Sequence, residues 1–254
     1  MIEKRMMVAL VGAILLFSAC VSQEKQSAAE VLNKSISAME NVETYSFTVR
    51  SSMLVVGDVS VLGGGAQKTD LVWDGQVDGK NRRMHITADM VSSSSNSSVE
   101  QYVIGGKQYV KIPMFGWIMN DTGSEFWDAK TYARLQPGSL NVSSVLVGEE
   151  DVNGIKCYVV DMNLSSMEAL ASMMQQPGST EGIKEIKRAE MREWIAKDSF
   201  LLMKSETKAD IVGTGMEAYI NTTIDFSGYN NPISIELPAE AENAMDINQL
   251  MSGG

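Results

Sequence analysis

Two spacings of apolar residues divide this chain. Over residues 27–41 they recur at helical intervals: Ala29, Leu32, Ile36 and Met39, joined by Val31, form one stripe, with Lys34 and Glu40 outside it. Ser27-Ala28-Ala29-Glu30 just before the stripe matches a capping box, so a helix is expected to start there. From Glu43 the period drops to two. Tyr45, Phe47, Val49, Ser51, Met53 and Val55 alternate with Thr44, Ser46, Thr48, Arg50 and Ser52, as a strand with one buried and one wet face requires.

That alternation persists through most of the remaining chain. Gly63-Gly64-Gly65 marks a loop over 57–68, and 71–77 leads into Asp78-Gly79, a dipeptide favoured in two-residue hairpin turns. The return strand sets Met84, Ile86, Ala88 and Met90 against Arg83, His85, Thr87 and Asp89. A serine-rich loop over 92–98 separates it from a hairpin of 99–104 and 107–112 around Gly105-Gly106. Residues 113–119 then carry a heavy apolar load that fits either a buried strand or the rim of an opening. Further strands are expected at 145–147, 155–162, 183–195, 200–211, 216–226 and 233–236. Short helices are expected at 126–135 and 165–176, and an acidic one holding Ala241, Met245 and Leu250 from Pro238 onward. This predicts an α+β, mostly antiparallel β domain of about ten strands with one leading helix; no βαβ rhythm appears.

The first twenty residues are not part of that domain. Lys4 and Arg5 precede fourteen uncharged, mostly apolar residues ending in Ser18-Ala19-Cys20. The run reaches about 21 Å as a helix, short of the ~30 Å hydrocarbon core, so an export signal is favoured over a spanning helix. The small-small-Cys ending resembles the lipobox of prokaryotic lipoproteins, whose cysteine becomes an acylated N-terminus; here Phe17 stands where that motif prefers Leu. The alternative is an ordinary secretory signal. The expected organisation is a signal peptide over 1–20, a tether over 21–26 reaching about 20 Å when extended, and one domain over 27–254.

Charge and cysteine usage narrow the function. Loss of Glu3, Lys4 and Arg5, together +1, takes the net charge from -11 to -12, which disfavours a nucleic acid partner. With Cys20 acylated, Cys157 has no partner for a disulfide and is expected to be a small buried apolar residue. Six of the thirteen asparagines, Asn33, Asn96, Asn120, Asn141, Asn163 and Asn221, lie in glycosylation sequons, against roughly two expected by chance. A lipobox together with many sequons points to an archaeal cell surface. The one histidine, His85, falls on a polar face with no second His or nearby Cys and is expected to be solvated. Glu149, Glu150 and Asp151 read as a solvated acidic turn. No nucleophile-base pair, metal motif or cofactor motif is present, so no enzyme and no cofactor are expected.

Five runs carry a family resemblance in order. They are Met39-Glu40-Asn41-Val42 before a Tyr/Phe strand, Gln108-Tyr109-Val110-Lys111-Ile112-Pro113 with Gly116-Trp117, and the stretch from Glu150 to Val160. Trp194-Ile195-Ala196-Lys197-Asp198 and the stretch from Phe226-Ser227-Gly228 to Leu237-Pro238 complete them. The order resembles the lipoprotein carrier superfamily of LolA and the mycobacterial LppX/LprG lipoproteins, over roughly residues 27–250. The resemblance implies a curved half-barrel sheet wrapped over helices, with an apolar cavity for lipid acyl chains and no catalytic residues. The liners it implies here are Phe47, Val49, Trp73, Met84, Ile86, Tyr102, Phe115, Trp117, Val159, Ile220 and Phe226. Fifteen of the eighteen methionines lie beyond residue 20, and flexible thioethers suit an adaptable pocket as well as an irregular core. The expectation is a membrane-tethered extracytoplasmic lipoprotein, anchored through Cys20, that carries or senses a hydrophobic ligand and meets a membrane or surface protein. The alternative is a non-catalytic surface interaction module with a closed core.

Overall fold

A computed structural model describes residues 26–57, 65–92, 96–113, 115–123, 127, 143–164 and 183–252. Cys20 and its leader, the loop glycines before Gly65, the expected helices at 126–135 and 165–176, and Asn141 lie outside these residues, apart from Trp127.

Helix α1 (Ala28–Met39) begins as its capping box requires. The Glu30 amide donates to Ser27 Oγ at 3.2 Å, and the Ser27 amide donates to Glu30 Oε2 at 2.9 Å. The Ser27 amide, then the Ser27 hydroxyl donating to the same oxygen at 3.2 Å, hold the Glu30 carboxyl below its usual range. The buried stripe is Ala28, Val31, Leu32, Ser35 and Met39. It is rotated from the expected one: Ala29 is exposed and Ile36 half-buried. Ala28 and Ser35 are small enough to let the helix approach the sheet closely, a choice that hydrophobicity alone does not reveal.

The described residues form twelve strands: β1 (Thr44–Gly57), β2 (Gly65–Asp78), β3 (Arg83–Ser92), β4 (Asn96–Ile104), β5 (Lys107–Ile112), β6 (Gly116–Asp121), β7 (Ser143–Val152), β8 (Ile155–Asn163), β9 (Ile183–Ala196), β10 (Leu202–Gly213), β11 (Met216–Ser227) and β12 (Met245–Asp246). They make one open sheet in the order β12-β6-β5-β4-β3-β2-β1-β11-β10-β9-β8-β7. Every pairing is antiparallel except β12 with β6. Two meanders, β2 to β6 and β7 to β11, meet at β1, which pairs with β2 on one side and β11 on the other.

Turn chemistry explains several boundaries. Asn153 and Gly154 have φ of 52° and 84°, the left-handed pair that a two-residue hairpin between β7 and β8 needs. Asp78-Gly79 does not make such a turn. Asp78 is the last residue of β2, and its buried carboxylate accepts from the Asn81 amide at 2.9 Å and Asn81 Nδ2 at 2.7 Å. That Asx cap builds a four-residue loop, Gly79 to Arg82, instead. The loop expected over 57–68 is shorter, because β2 already starts at Gly65, and Asn96 to Ser98 belong to β4 rather than to a serine loop. Glu149, Glu150 and Asp151 are in β7, not in a turn.

The chain after β11 also departs from expectation. Residues 233–236 form no strand, and the acidic region is not one helix: a 3-10 turn (Ala239–Ala241), the two residues of β12 and a short helix α2 (Ile247–Ser252) share it. The apolar alternation Ile233, Ile235, Leu237 is used to lay an extended strap flat on the sheet, not to pair at its edge.

Cross-strand partners share a face, so the register sorts the side chains. The inner face is the one that α1 covers. There Val31, Leu32 and Met39 join Val160, Met162, Ala189, Met191, Ile195, Leu202 and Ala209 in the main core, spread over β8, β9 and β10.

Candidate ligand-binding face

The inner face continues past α1 onto β11, β1, β2 and β3. One rung runs from Ile224 through Val49 and Trp73 to Ala88; the next from Phe226 through Phe47 and Gly75 to Ile86. Gly75 makes this arrangement possible, since a Cβ there would meet the Phe47 ring at 2.2 Å. Phe47 and Phe226 each lie 6.2 Å from the Tyr45 ring, with Tyr229 6.3 Å from it, and the four make an aromatic cluster at one end of the face. Tyr229 donates its hydroxyl to the Leu202 carbonyl, and burial pushes that phenol far up.

Burial falls along the strands away from that cluster. Val77 is 2% exposed and Val49 9%, whereas Trp73 and Met53 are each 38% exposed. Met90, paired with Leu71, is exposed as well. The face thus passes from core to open apolar surface within the length of one strand.

The eleven residues implied as liners separate by face. Phe47, Val49, Trp73, Met84, Ile86, Ile220 and Phe226 stand on the inner face. Tyr102, Trp117 and Val159 stand on the outer one. Phe115 sits at the turn between β5 and β6, exposed to solvent. Tyr102 and Trp117 pack under Ile235 and Ala241 of the strap, with Tyr109, Ile233 and Leu237 around them. Arg83 fastens the strap by donating to the Ile235 carbonyl at 2.6 Å. Val159 packs with Cys157 and Trp194 in a separate small core. Cys157 is free and fully buried, and burial pushes its thiol up, with Asp151 adding to the effect.

His85 is less solvated than its polar neighbours implied. Its ring stacks on Tyr102 at 4.3 Å, and Nε2 lies 3.3 Å from Glu100 Oε1, which also accepts from the Tyr102 hydroxyl at 3.0 Å. Burial, then the Glu100 carboxylate, pushes the Tyr102 phenol up to about 12. The group ties β3 to β4 beneath the strap. Beside it is a hollow of about 410 Å³ bordered by Gln76, Ser234 and Glu236. A second groove of about 460 Å³ crosses the outer face of β7 to β10, and Asp161, Glu190, Arg192, Glu206 and Lys208 line it. Arg192 and Asp161 pair there at 2.6 Å. Both hollows are walled by polar and charged groups, which suits water and ions better than hydrocarbon. Among the described residues no group of three His, Cys, Asp or Glu is placed to hold a metal ion.

Of the sequon asparagines, Asn33, Asn96, Asn163 and Asn221 are exposed and Asn120 is half-buried.

No protein-family model matches the chain, and no curated protein matches it. Among solved structures, the chain is similar to the lipoprotein LppX of Mycobacterium tuberculosis at 17% identity, with 82% of this chain and 97% of that one covered and a TM-score of 0.48. LprF of Mycobacterium bovis matches at 14% identity over 84% and 97% of the two chains, TM-score 0.46. A putative outer membrane lipoprotein-sorting protein domain of Vibrio parahaemolyticus matches at 8% identity over 81% and 93%, TM-score 0.27. The structural similarity to these lipoproteins and sorting domains extends over most of the chain.

Proposed function

We propose that this protein is a membrane-tethered extracytoplasmic lipoprotein that binds a hydrophobic ligand on the inner face of its sheet and has no catalytic role. The observation that carries this reading is the apolar stretch of inner face on β1, β2 and β3, where Trp73, Met53 and Met90 remain exposed beside half-buried Phe47, Met84 and Ile86. Such a surface is costly in water at roughly 25 cal/mol per Å², and an acyl chain laid on it gains about 0.8 kcal/mol per methylene covered. Methionines at this margin can repack around chains of different shape.

The acylated Cys20 would keep this face near a bilayer, with the short tether setting the distance. Replacement Cys20→Ala is expected to move the protein from the membrane to the soluble fraction; retention in the membrane would point to an uncleaved anchor. Ligand binding is tested by native mass spectrometry after mild extraction, together with uptake of diphenylhexatriene, a neutral fluorescent hydrocarbon. Co-purified lipid and dye uptake are expected. A protein that carries no lipid and takes up no dye would instead be a surface interaction module with a closed core.

A further inference from the structure

Glu193 is buried where a carboxyl has no ordinary reason to be. It stands on the inner face of β9, opposite Val160 of β8 and Ser205 of β10, with Met191 and Ile195 two residues away on either side. It is 2% exposed, and Oε1 has no hydrogen-bond partner. The inner-face neighbours on β8 and β10 are Tyr158, Val160, Met162, Ser205 and Thr207, none of them a cation, and α1 turns only Ala28, Val31, Leu32, Ser35 and Met39 inward. Burial pushes this carboxyl up to about 8. It is therefore neutral at pH 7 and holds both a hydroxyl donor and a carbonyl acceptor. Leaving such a group unmatched costs on the order of 1–3 kcal/mol, so a fold that keeps one has a use for it when a partner arrives.

The register shows where that partner would come from. From Glu193 the rung runs through Ser205, Ile224 and Val49 to Trp73. Its two ends differ in exposure, 2% at Glu193 and Ser205 against 38% at Trp73. Four strand spacings separate Glu193 from Trp73, about 19 Å, the span of a long acyl chain. The line has a polar, dry end under α1 and an apolar, open end on β2.

We propose that Glu193 and Ser205 form the polar end of the ligand site and select an uncharged acyl ester, its ester or hydroxyl oxygens bound by these two side chains and its chain laid over Ile224, Val49 and Trp73. The ligand enters beneath α1 from the uncovered side, displacing part of a single amphipathic helix. An ionised head group is disfavoured, because among the described residues no cation faces Glu193 and an unpaired charge there is strongly penalised. This inference rests on the hydrophobic-ligand reading and adds the class of head group.

The test is competition against bound diphenylhexatriene at pH 7 by 1-palmitoylglycerol and by palmitate. The wild-type protein is expected to prefer the glycerol ester by about tenfold, the scale of one well-made buried hydrogen bond. Glu193→Gln, which keeps a neutral donor and acceptor, is expected to retain the preference, and Glu193→Leu to bring the ratio near one. Ser205→Ala is expected to reduce it partially, and thermal unfolding of each variant checks that the fold is intact. A ratio unchanged in Glu193→Leu, or a wild-type preference for palmitate, overturns the assignment of Glu193 while leaving the hydrophobic-ligand reading in place. Absence of dye uptake by the wild type overturns that reading, and this inference with it.

Discussion

Two apolar surfaces of the same sheet have opposite fates. On the outer face, Tyr102, Tyr109 and Trp117 lie beneath the strap of Ile233, Ile235, Leu237 and Ala241 and become a core. On the inner face, Trp73, Met53 and Met90 have similar bulk and similar strand positions and stay in contact with solvent. What separates them is a length of chain that arrives from far along the sequence. A large side chain under a strap contributes stability; the same side chain without one is available to a ligand.

The sharpest way to break this contrast is to truncate one tryptophan on each side. Trp117→Ala removes an indole that is 8% exposed and is expected to cost about 3–5 kcal/mol in chemical denaturation. Trp73→Ala, at a site 38% exposed, is expected to cost less than about 1 kcal/mol and to reduce dye uptake. Equal losses from the two would mean that the inner face is as closed as the outer.

A second contrast lies within the inner face, between its covered and open halves, and pH reports on it. Glu193 holds its proton more tightly folded, up to about 8, than unfolded, near the ordinary 4.5. The native state then binds more protons between those values, so stability falls as pH rises through that window. Unfolding free energy is expected to drop by about 3 kcal/mol from pH 5 to pH 8, and Glu193→Gln is expected to flatten the profile. An unchanged slope in that variant would locate the ionisation elsewhere.

Gly75 tests the seating of Phe47. Its replacement by Ala places a methyl against that ring, with an expected loss of about 1–3 kcal/mol and a change in dye affinity as the ring is pushed aside. The smallest effect is expected at the Lys197–Glu149 pair, a surface contact at 2.5 Å with half of Glu149 in water. Lys197→Met is expected to change stability by less than about 1 kcal/mol and to leave ligand uptake unaltered.

Much of this architecture is legible in the residues. Strict alternation locates β1, β3 and β11, the capping box places the start of α1, and Asn153-Gly154 marks its hairpin. The face assignments are harder. Alternation tells which residues of one strand stand together, and says nothing of which face a later segment will cover; hence a grouping of Tyr102 and Trp117 with Phe47 fails, because the sheet separates them. Ile233, Ile235 and Leu237 have the spacing of a strand, and only the arrangement of the whole sheet shows that they lie across it. Glu193 is hidden in the sequence for a related reason. In Met191-Arg192-Glu193-Trp194-Ile195 the charged and apolar residues do not alternate cleanly, since Trp194 and Glu193 each take the face that their polarity would not select. Trp194 is accommodated outside by Lys204, 4.5 Å from its ring, and by a bond from its Nε1 to Glu150 at 2.7 Å.

The seam between β1 and β11 also governs how the molecule is assembled. Within each meander, neighbours in the sheet are neighbours in the chain, so hairpins can form locally and early. The seam pairs Ser46 with Ser227 and Gly57 with Met216, and no shorter loop closes it. Until β11 has been made, β1 has an unpaired edge in the middle of what will become the sheet, beside the aromatic side chains of the inner face. Joining the two halves is therefore the slow, entropically expensive step, and the interval before it is when the chain is most open to strand addition by another copy.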